Sequence, residues 1–173
     1  MGLIHIYCGD GKGKTTASIG LLIRAIGSGM KVLFVQFLKS SKTSELNVLE
    51  KLDSVTILRG KSGNVFSFNM SQEEKDLSTK IHNENLKKAI EIVNTGQYNM
   101  LILDEVIGAY NKNLLNKNIL MDFLGNKPKD LEVVLTGRGP DKDLLEKADY
   151  ISEIKKIKHP YDKGIKSRIG IER

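Results

Sequence analysis

The fold class this sequence predicts is α/β with a mainly parallel sheet, on three observations. Short apolar runs alternate with amphipathic helical segments along the chain. Two of those runs, Val32–Val35 and Met100–Leu103, are continuously apolar, as strands covered on both faces are. The first run is followed by a glycine-rich turn that opens a helix, the context of a phosphate loop. Right-handed crossovers between parallel strands then place helices on both faces of the sheet.

The first element is the strand Leu3 to Tyr7. The turn is Cys8-Gly9-Asp10-Gly11-Lys12-Gly13-Lys14-Thr15-Thr16. Its glycines let successive N–H groups face one concavity, a helix N-terminus adds its positive dipole end, and Lys14 adds a full charge. The Thr15 hydroxyl stands where such loops offer a magnesium ligand. The usual spacing, Gly-x-x-x-x-Gly-Lys-Ser/Thr, places glycine at position 8, where this chain has Cys8. A flexible glycine turn is the plain alternative, and the Lys-Thr pair between strand and helix favours phosphate. Cys8 itself reads as a small strand-end side chain rather than a reactive thiol.

The helix runs from about Thr15 to Gly27, with Ile19, Leu22, Ile23 and Ile26 as its apolar stripe and Arg24 facing away. A strand over Lys31–Phe37 leaves Gln36 and Lys39 at its carboxyl end, where open α/β sheets bind ligands. Residues 40–43 read as loop, Glu45–Leu52 as a short helix and Val55–Leu58 as a strand. The polar loop of residues 59–70 carries Phe66 and Phe68, which packing under the loop would explain. Ser71-Gln72-Glu73-Glu74 is a capping box; its helix extends to about Thr95 with Leu77, Ile81, Leu86, Ala89, Ile90 and Val93 as stripe. Asn99–Val106 reads as an apolar strand carrying Asp104 and Glu105, acids placed to reach a metal or its water shell. Leu114–Leu124 is predicted helical and Leu131–Leu135 a buried strand ending in Thr136-Gly137-Arg138-Gly139, where a guanidinium suits an anion. Asp141–Ala148 is predicted helical, Tyr150–Ile154 a last core strand, residues 155–164 irregular, and Ile165–Ile171 an edge hairpin.

Residues 9–16, 36–39, 104–105 and 136–139 all fall at one carboxyl edge in this arrangement, which argues for one site. A chain of 173 residues suits a single domain with a substantial core. No apolar run approaches the ~20 residues of a membrane span, no secretory signal is visible, and a lone cysteine fits a reducing cytoplasm. Residues 155–173 hold seven basic and two acidic side chains; such a tail suits nucleic acid, a polyphosphate, another subunit or water alone. The residues by themselves leave three readings open. They are an ATP-dependent hydrolase or switch, an ATP-using kinase or other transferase, and a nucleotide-binding module whose tail engages nucleic acid.

Gly9-Asp10-Gly11-Lys12-Gly13-Lys14-Thr15-Thr16-Ala17, with Arg24-Ala25-Ile26-Gly27 and Val35-Gln36-Phe37-Leu38-Lys39, resembles the ATP:corrinoid adenosyltransferases of vitamin B12 metabolism. The family lacks the same first glycine. The likeness continues through residues 45–50, Leu103-Asp104-Glu105 and Leu135-Thr136-Gly137-Arg138-Gly139. It ends with Ala148-Asp149 and residues 158–172, so it covers nearly the whole chain. It implies a P-loop NTPase-like (RecA-like) fold and transfer of the 5′-deoxyadenosyl group of ATP to Co(I) of a corrinoid, with release of triphosphate. The implied nucleotide site is Gly9 to Thr16 with Arg24, Arg138 and Lys166. Magnesium or manganese is implied at Thr15 and Glu105 with Asp104 nearby, and Lys14 as the catalytic cation. The nucleotide lies reversed in this family's loop, which exposes C5′. The family's aromatic pair, usually Phe-x-Trp, corresponds to Phe66 and Phe68; there it helps displace the corrinoid's lower axial ligand, and Phe68 replaces the usual tryptophan. The resemblance further implies a cytoplasmic homodimer, an electron donor such as a reduced flavoprotein, and a basic tail that serves nucleotide or corrinoid instead of nucleic acid. Better-known members carry an N-terminal extension that covers the site; this sequence starts at the first strand, so that lid is not carried over.

Overall fold

The computed structural model describes residues 1–39, 43–60 and 70–172. Among these, six strands form one sheet: β1 (Ile4–Cys8), β2 (Val32–Gln36), β3 (Val55–Arg59), β4 (Met100–Asp104), β5 (Glu132–Thr136) and β6 (Tyr150–Glu153). All pairings are parallel, in the order β3-β2-β4-β5-β1-β6. The helices are α1 (Lys14–Gly27), α2 (Leu46–Leu49), α3 (Gln72–Asn94), α4 (Val106–Asn111), α5 (Lys117–Asn126) and α6 (Lys142–Lys147).

The continuous apolar runs have the predicted cause. Successive strand residues point to opposite faces, and both faces are covered. Val32 and Phe34 of β2 pack with Leu22 and Ala25 of α1 and with Leu46 and Leu49 of α2. Leu33 and Val35 face the larger core with Leu86, Ala89 and Val93 of α3 and with residues of α4, α5 and α6. Each large apolar side chain removed from water contributes about 1.5–3 kcal/mol, against about 1 kcal/mol for a cap. The two cores therefore hold the sheet, and the caps set where helices begin. The capping box of α3 is present, with Ser71 Oγ accepting from Glu74 N–H and Glu74 accepting from Ser71 N–H. Asn116 caps α5 and Asp141 caps α6.

Several boundaries differ from the sequence expectation. The strand predicted through Val106 stops at Asp104; Glu105 turns the chain and Val106 begins α4, which the sequence reading did not contain. Val106, Ile107, Ala109 and Tyr110 are all buried, so their apolar run looked like more strand. β6 is an edge strand with every residue exposed rather than a core strand. Residues 165–168 are irregular and 169–172 form a turn where residues 165–171 were expected as an edge hairpin, and a 3-10 turn at Pro160–Lys163 breaks the stretch expected to be irregular. The helix predicted from Leu114 starts at Lys117, after Leu114 and Leu115 have packed into the core as loop residues. Ile23 and Leu77, placed on buried stripes, are about half exposed.

The buried face of α3 runs instead through Ser78, His82, Leu86, Ala89 and Val93. Hydropathy misses its first half because two of those positions are polar. His82 is tolerated there because its ring is satisfied on both sides. Nδ1–H donates to the Leu114 carbonyl at 2.9 Å, and Nε2 accepts from Leu38 N–H at 3.4 Å. Burial lowers the His82 pKa below its ordinary value. The unfolded chain therefore protonates His82 first as pH falls, and this contribution to stability is complete above about pH 6.5 and lost below it. Thermal unfolding followed from pH 8 to pH 5 should show stability falling through this window. H82N should flatten the profile and, at pH 8, cost about 2 kcal/mol through lost packing and hydrogen bonding.

Candidate active site

The carboxyl ends of β1, β2, β4 and β5 converge as expected. Register decides which residues meet: Gln36 lies opposite Asp104, and Tyr7 opposite Thr136. A cavity of about 920 Å³ opens above them, lined by Asp10–Thr16, Lys39, Glu105, Arg138 and Lys166. One side is closed by the tail, including Tyr161, Ile165 and Glu172.

The loop is shaped by close backbone approach. The carbonyl of Ile154 accepts from Gly11 N–H at 2.8 Å, and Ile154 N–H donates to the Cys8 carbonyl at 2.8 Å. A Cβ at Gly11 would lie 2.7 Å from that Ile154 oxygen, and at Gly9, where φ is +103°, it would collide with it outright. The missing glycine at position 8 costs nothing, since Cys8 is the last strand residue and packs into the core. Burial pushes its thiol pKa up, which makes it unreactive. Gly13, with φ +125°, ends the loop and starts α1 without a side-chain cap, and the first turn holds no acid. The N-terminal N–H groups of α1 thus have no side-chain anion of their own, which makes them a receptor for an external one. Lys14 is buried, with Nζ donating to the Gly11 carbonyl at 2.8 Å; burial and then Arg138 lower its pKa. An anion entering the cavity would restore its charge balance.

Asp104 has no exposed surface and is surrounded by donors. Oδ1 accepts from the hydroxyls of Thr15 and Thr136, each at 2.8 Å. Oδ2 accepts from Lys39 Nζ at 2.9 Å and Gln36 Nε2 at 3.4 Å. The next residue behaves differently. Glu105 adopts a left-handed conformation, φ 60° and ψ 17°, at a strain cost of about 1–3 kcal/mol. The Thr136 hydroxyl offsets part of it by accepting Glu105 N–H at 2.9 Å. This twist sends the Glu105 side chain to the cavity wall, where burial and then Asp104 raise its pKa. Like Glu45 on the same wall, and unlike Asp104, it is not already saturated with donors among the described residues. Behind it, Asn111 at the end of α4 donates to the carbonyls of Arg138 and Gly139 at 3.0 and 2.8 Å, which fixes the loop bearing Arg138.

Asp10, Gly11, Lys12, Gly13, Lys14, Thr15, Thr16, Glu105, Arg138 and Lys166 therefore border one cavity, with Asp104 directly beneath. Gly9 shapes the loop from behind. Asp10 spends Oδ1 on Lys156 N–H at 2.9 Å, so it also pins the tail to the loop. Arg24 is not brought to the cavity; it is exposed in the last turn of α1. Phe66 and Phe68 lie outside the described residues. The sequence does not place Asn111 at the site, and it puts Gln36, Lys39 and Thr136 at the site's edge without individual roles. Their signal was position at strand ends, and their partners depend on register. T136V should cost about 1–3 kcal/mol in urea denaturation by removing a partner from Asp104 and from Glu105 N–H. T136S should retain wild-type stability to within about 1 kcal/mol.

A family model described as ATP:corrinoid adenosyltransferase BtuR/CobO/CobP matches residues 1–173. The chain is 34% identical to the corrinoid adenosyltransferase of Escherichia coli K12, over 99% of this chain and 85% of that one. It is 34% identical to the corrinoid adenosyltransferase of a Sinorhizobium species, over 99% of this chain and 80% of that one. Among solved structures it is similar to a KaiC-like protein of Pyrococcus horikoshii OT3, with a TM-score of 0.52 and 15% identity over 88% of this chain and 72% of that one. That likeness speaks for the fold alone, which is P-loop NTPase-like (RecA-like), with every strand parallel where mainly parallel was expected. With a phosphate loop, a strand-end acid pair and this relationship along its whole length, the chain belongs to the ATP:corrinoid adenosyltransferase family.

Proposed function

We propose that the cavity holds the triphosphate of ATP on the N-terminus of α1 and turns C5′ toward the cobalt of a reduced corrinoid, with residues 1–173 acting as one catalytic domain. The activity is that of the family: adenosyl transfer from ATP to a corrinoid. The observation that supports the site is the uncapped start of α1 beside buried Lys14 and the cavity-lining Lys12, Arg138 and Lys166.

In bond terms, Co(I) supplies an electron pair to C5′ and becomes Co(III). The C5′–O5′ bond breaks, and its electron pair leaves with the triphosphate oxygen. Because cobalt is the nucleophile, the protein needs none. The Cys8 thiol is buried and unreactive, and His159 Nδ1 is occupied by Tyr161 N–H at 3.1 Å. What remains for the chain is positioning and charge. Lys14 and the N–H groups of α1 take the negative charge that develops on the leaving group, and Arg138 and Lys166 extend that field across the cavity.

The acids and hydroxyl fit magnesium or manganese. Thr15, Glu105 and Asp104 offer only oxygen, the donor type of hard cations. Among the described residues no cluster of three or more His, Cys, Asp or Glu side chains forms a protein-only cage, which suits an ion shared with phosphate. Thr15 and Glu105 would hold it, with Asp104 orienting the Thr15 hydroxyl. When bound, the ion adds positive charge to the triphosphate. Phe66 and Phe68 keep the role the resemblance implies, an apolar wedge that leaves cobalt without its lower ligand and easier to reduce. A homodimer, a cytoplasmic setting and a reduced flavoprotein as electron donor belong to the same proposal. Among the described residues no helix is long and apolar enough to cross a membrane.

With ATP, Mg²⁺ and chemically reduced cobalamin, the expected products are triphosphate and a photolabile adenosylated corrinoid. ADP or phosphate alone would instead point to a phosphoryl-transferring ATPase or kinase. K14A should lower turnover by at least ~100-fold. F68A should mainly slow the reaction that starts from Co(II); equal losses from Co(I) and Co(II) would remove the wedge role.

A further inference from the structure

A cation of the chain already faces two of the oxygens read as metal ligands. Lys39 Nζ lies 2.9 Å from Asp104 Oδ2 and donates to Thr15 Oγ1 at 3.5 Å. The Thr15 hydroxyl gives its proton to Asp104 Oδ1, so its lone pairs are what it can offer a metal, and Lys39 faces them. Lys39 also supplies the full positive charge opposite fully buried Asp104, whose other partners, Thr15, Thr136 and Gln36, are neutral. A second carboxylate waits beside it: Glu45 Oε1 is 3.8 Å from Lys39 Nζ and lines the same cavity. The Lys39 backbone does not need to move, since Arg59 Nη2 holds its carbonyl at 3.3 Å. A long flexible side chain on a fixed stem can exchange one carboxylate for another.

We propose that Lys39 is a resident counter-cation that occupies the divalent-metal position of the empty enzyme and moves to Glu45 when the metal enters with nucleotide. Metal and ammonium compete for the same oxygen lone pairs, and two cations cannot share them at such distances. Lys39 thereby keeps Asp104 and Thr15 in place before loading. It also ties metal affinity to a side chain that need not touch the reacting atoms. The inference rests on the reading that nucleotide and divalent metal share this cavity.

The test is Mn²⁺ binding, counted by electron paramagnetic resonance, to the full chain with saturating AMP-PNP and neither corrinoid nor reductant. Nucleotide binding is measured in the same samples. K39M should bind Mn²⁺ at least ~10-fold more tightly than wild type, and K39R about equally to wild type. E45Q removes the landing carboxylate and should bind Mn²⁺ several-fold more weakly. K166M removes another cation that lines the cavity but is not among the partners of Asp104 or Thr15, and should change the affinity much less than K39M. Unchanged or weaker Mn²⁺ binding in K39M overturns the proposal, as does an equal gain in K166M, which would reveal only the general field of the cavity. Should K39M fail to fold, E45Q decides, with unchanged or tighter binding overturning the proposal. Absence of AMP-PNP binding in wild type would bring down the underlying reading as well, whereas normal nucleotide binding with unchanged Mn²⁺ affinity removes only the role of Lys39.

Discussion

A carboxylate with no access to water must be matched by donors from the protein, and at Asp104 that requirement ties four parts of the chain together. Its two oxygens take hydroxyls from the phosphate loop and from β5, an amide from β2 and an ammonium from just beyond β2. Charged hydrogen bonds contribute about 1.5–3 kcal/mol each, while a buried charge stripped of its partner costs about 3–5 kcal/mol. The strand ends are therefore held to one another chemically as well as by the backbone ladder. The sheet order makes this necessary: β5 separates β4 from β1, so Thr136 spans the gap between the acid strand and the loop strand.

The same economy governs the neighbouring residue. Glu105 needs a route into the cavity although the strand geometry at Asp104 points its own carboxylate into the protein. A left-handed residue at the strand-to-helix junction provides that route, and the helix it opens carries Asn111 back to the Arg138 loop. One acid is thus saturated and structural, the other open and strained. Under the proposed function, this division of labour between adjacent carboxylates suits an ion shared with phosphate, because the protein must hold the ligands still while leaving coordination positions vacant.

The tail closes the arrangement from the other side. Ile154 binds the loop through backbone hydrogen bonds, close enough that glycine is needed at positions 9 and 11, and Lys156 N–H donates to the Asp10 carboxylate. Near its end, Arg168 and Glu172 pair at 2.8 Å, and this pairing lowers the Glu172 pKa to about 2. The basic segment, which composition left open between nucleic acid, a polyphosphate, another subunit and solvent, forms part of the cavity wall, with Tyr161, Ile165, Lys166 and Glu172 along it.

The local code was sufficient for the alternation of strands and helices, the phosphate loop, the α3 capping box and the gathering of strand ends. Each depends on periodicity, on glycine and capping chemistry, or on a rule of parallel topology, all of which act within a few residues or on chain direction. Sequence could not show that Val106 begins a helix, since the deciding event is the backbone twist at Glu105, paid for by a hydroxyl 31 residues away. Nor could it show that α3 buries Ser78 and His82, the His82 ring being acceptable there because distant backbone atoms satisfy it. The partners of Asp104 likewise follow from register, and the place of β6 at the sheet edge from strand order. Composition and spacing thus located the phosphate loop and the polar groups at the strand ends, and the family resemblance named the reaction. The tertiary structure decided which of those groups are saturated, which are open, and which cation faces Asp104 and Thr15, because those outcomes depend on distances between residues far apart in the chain.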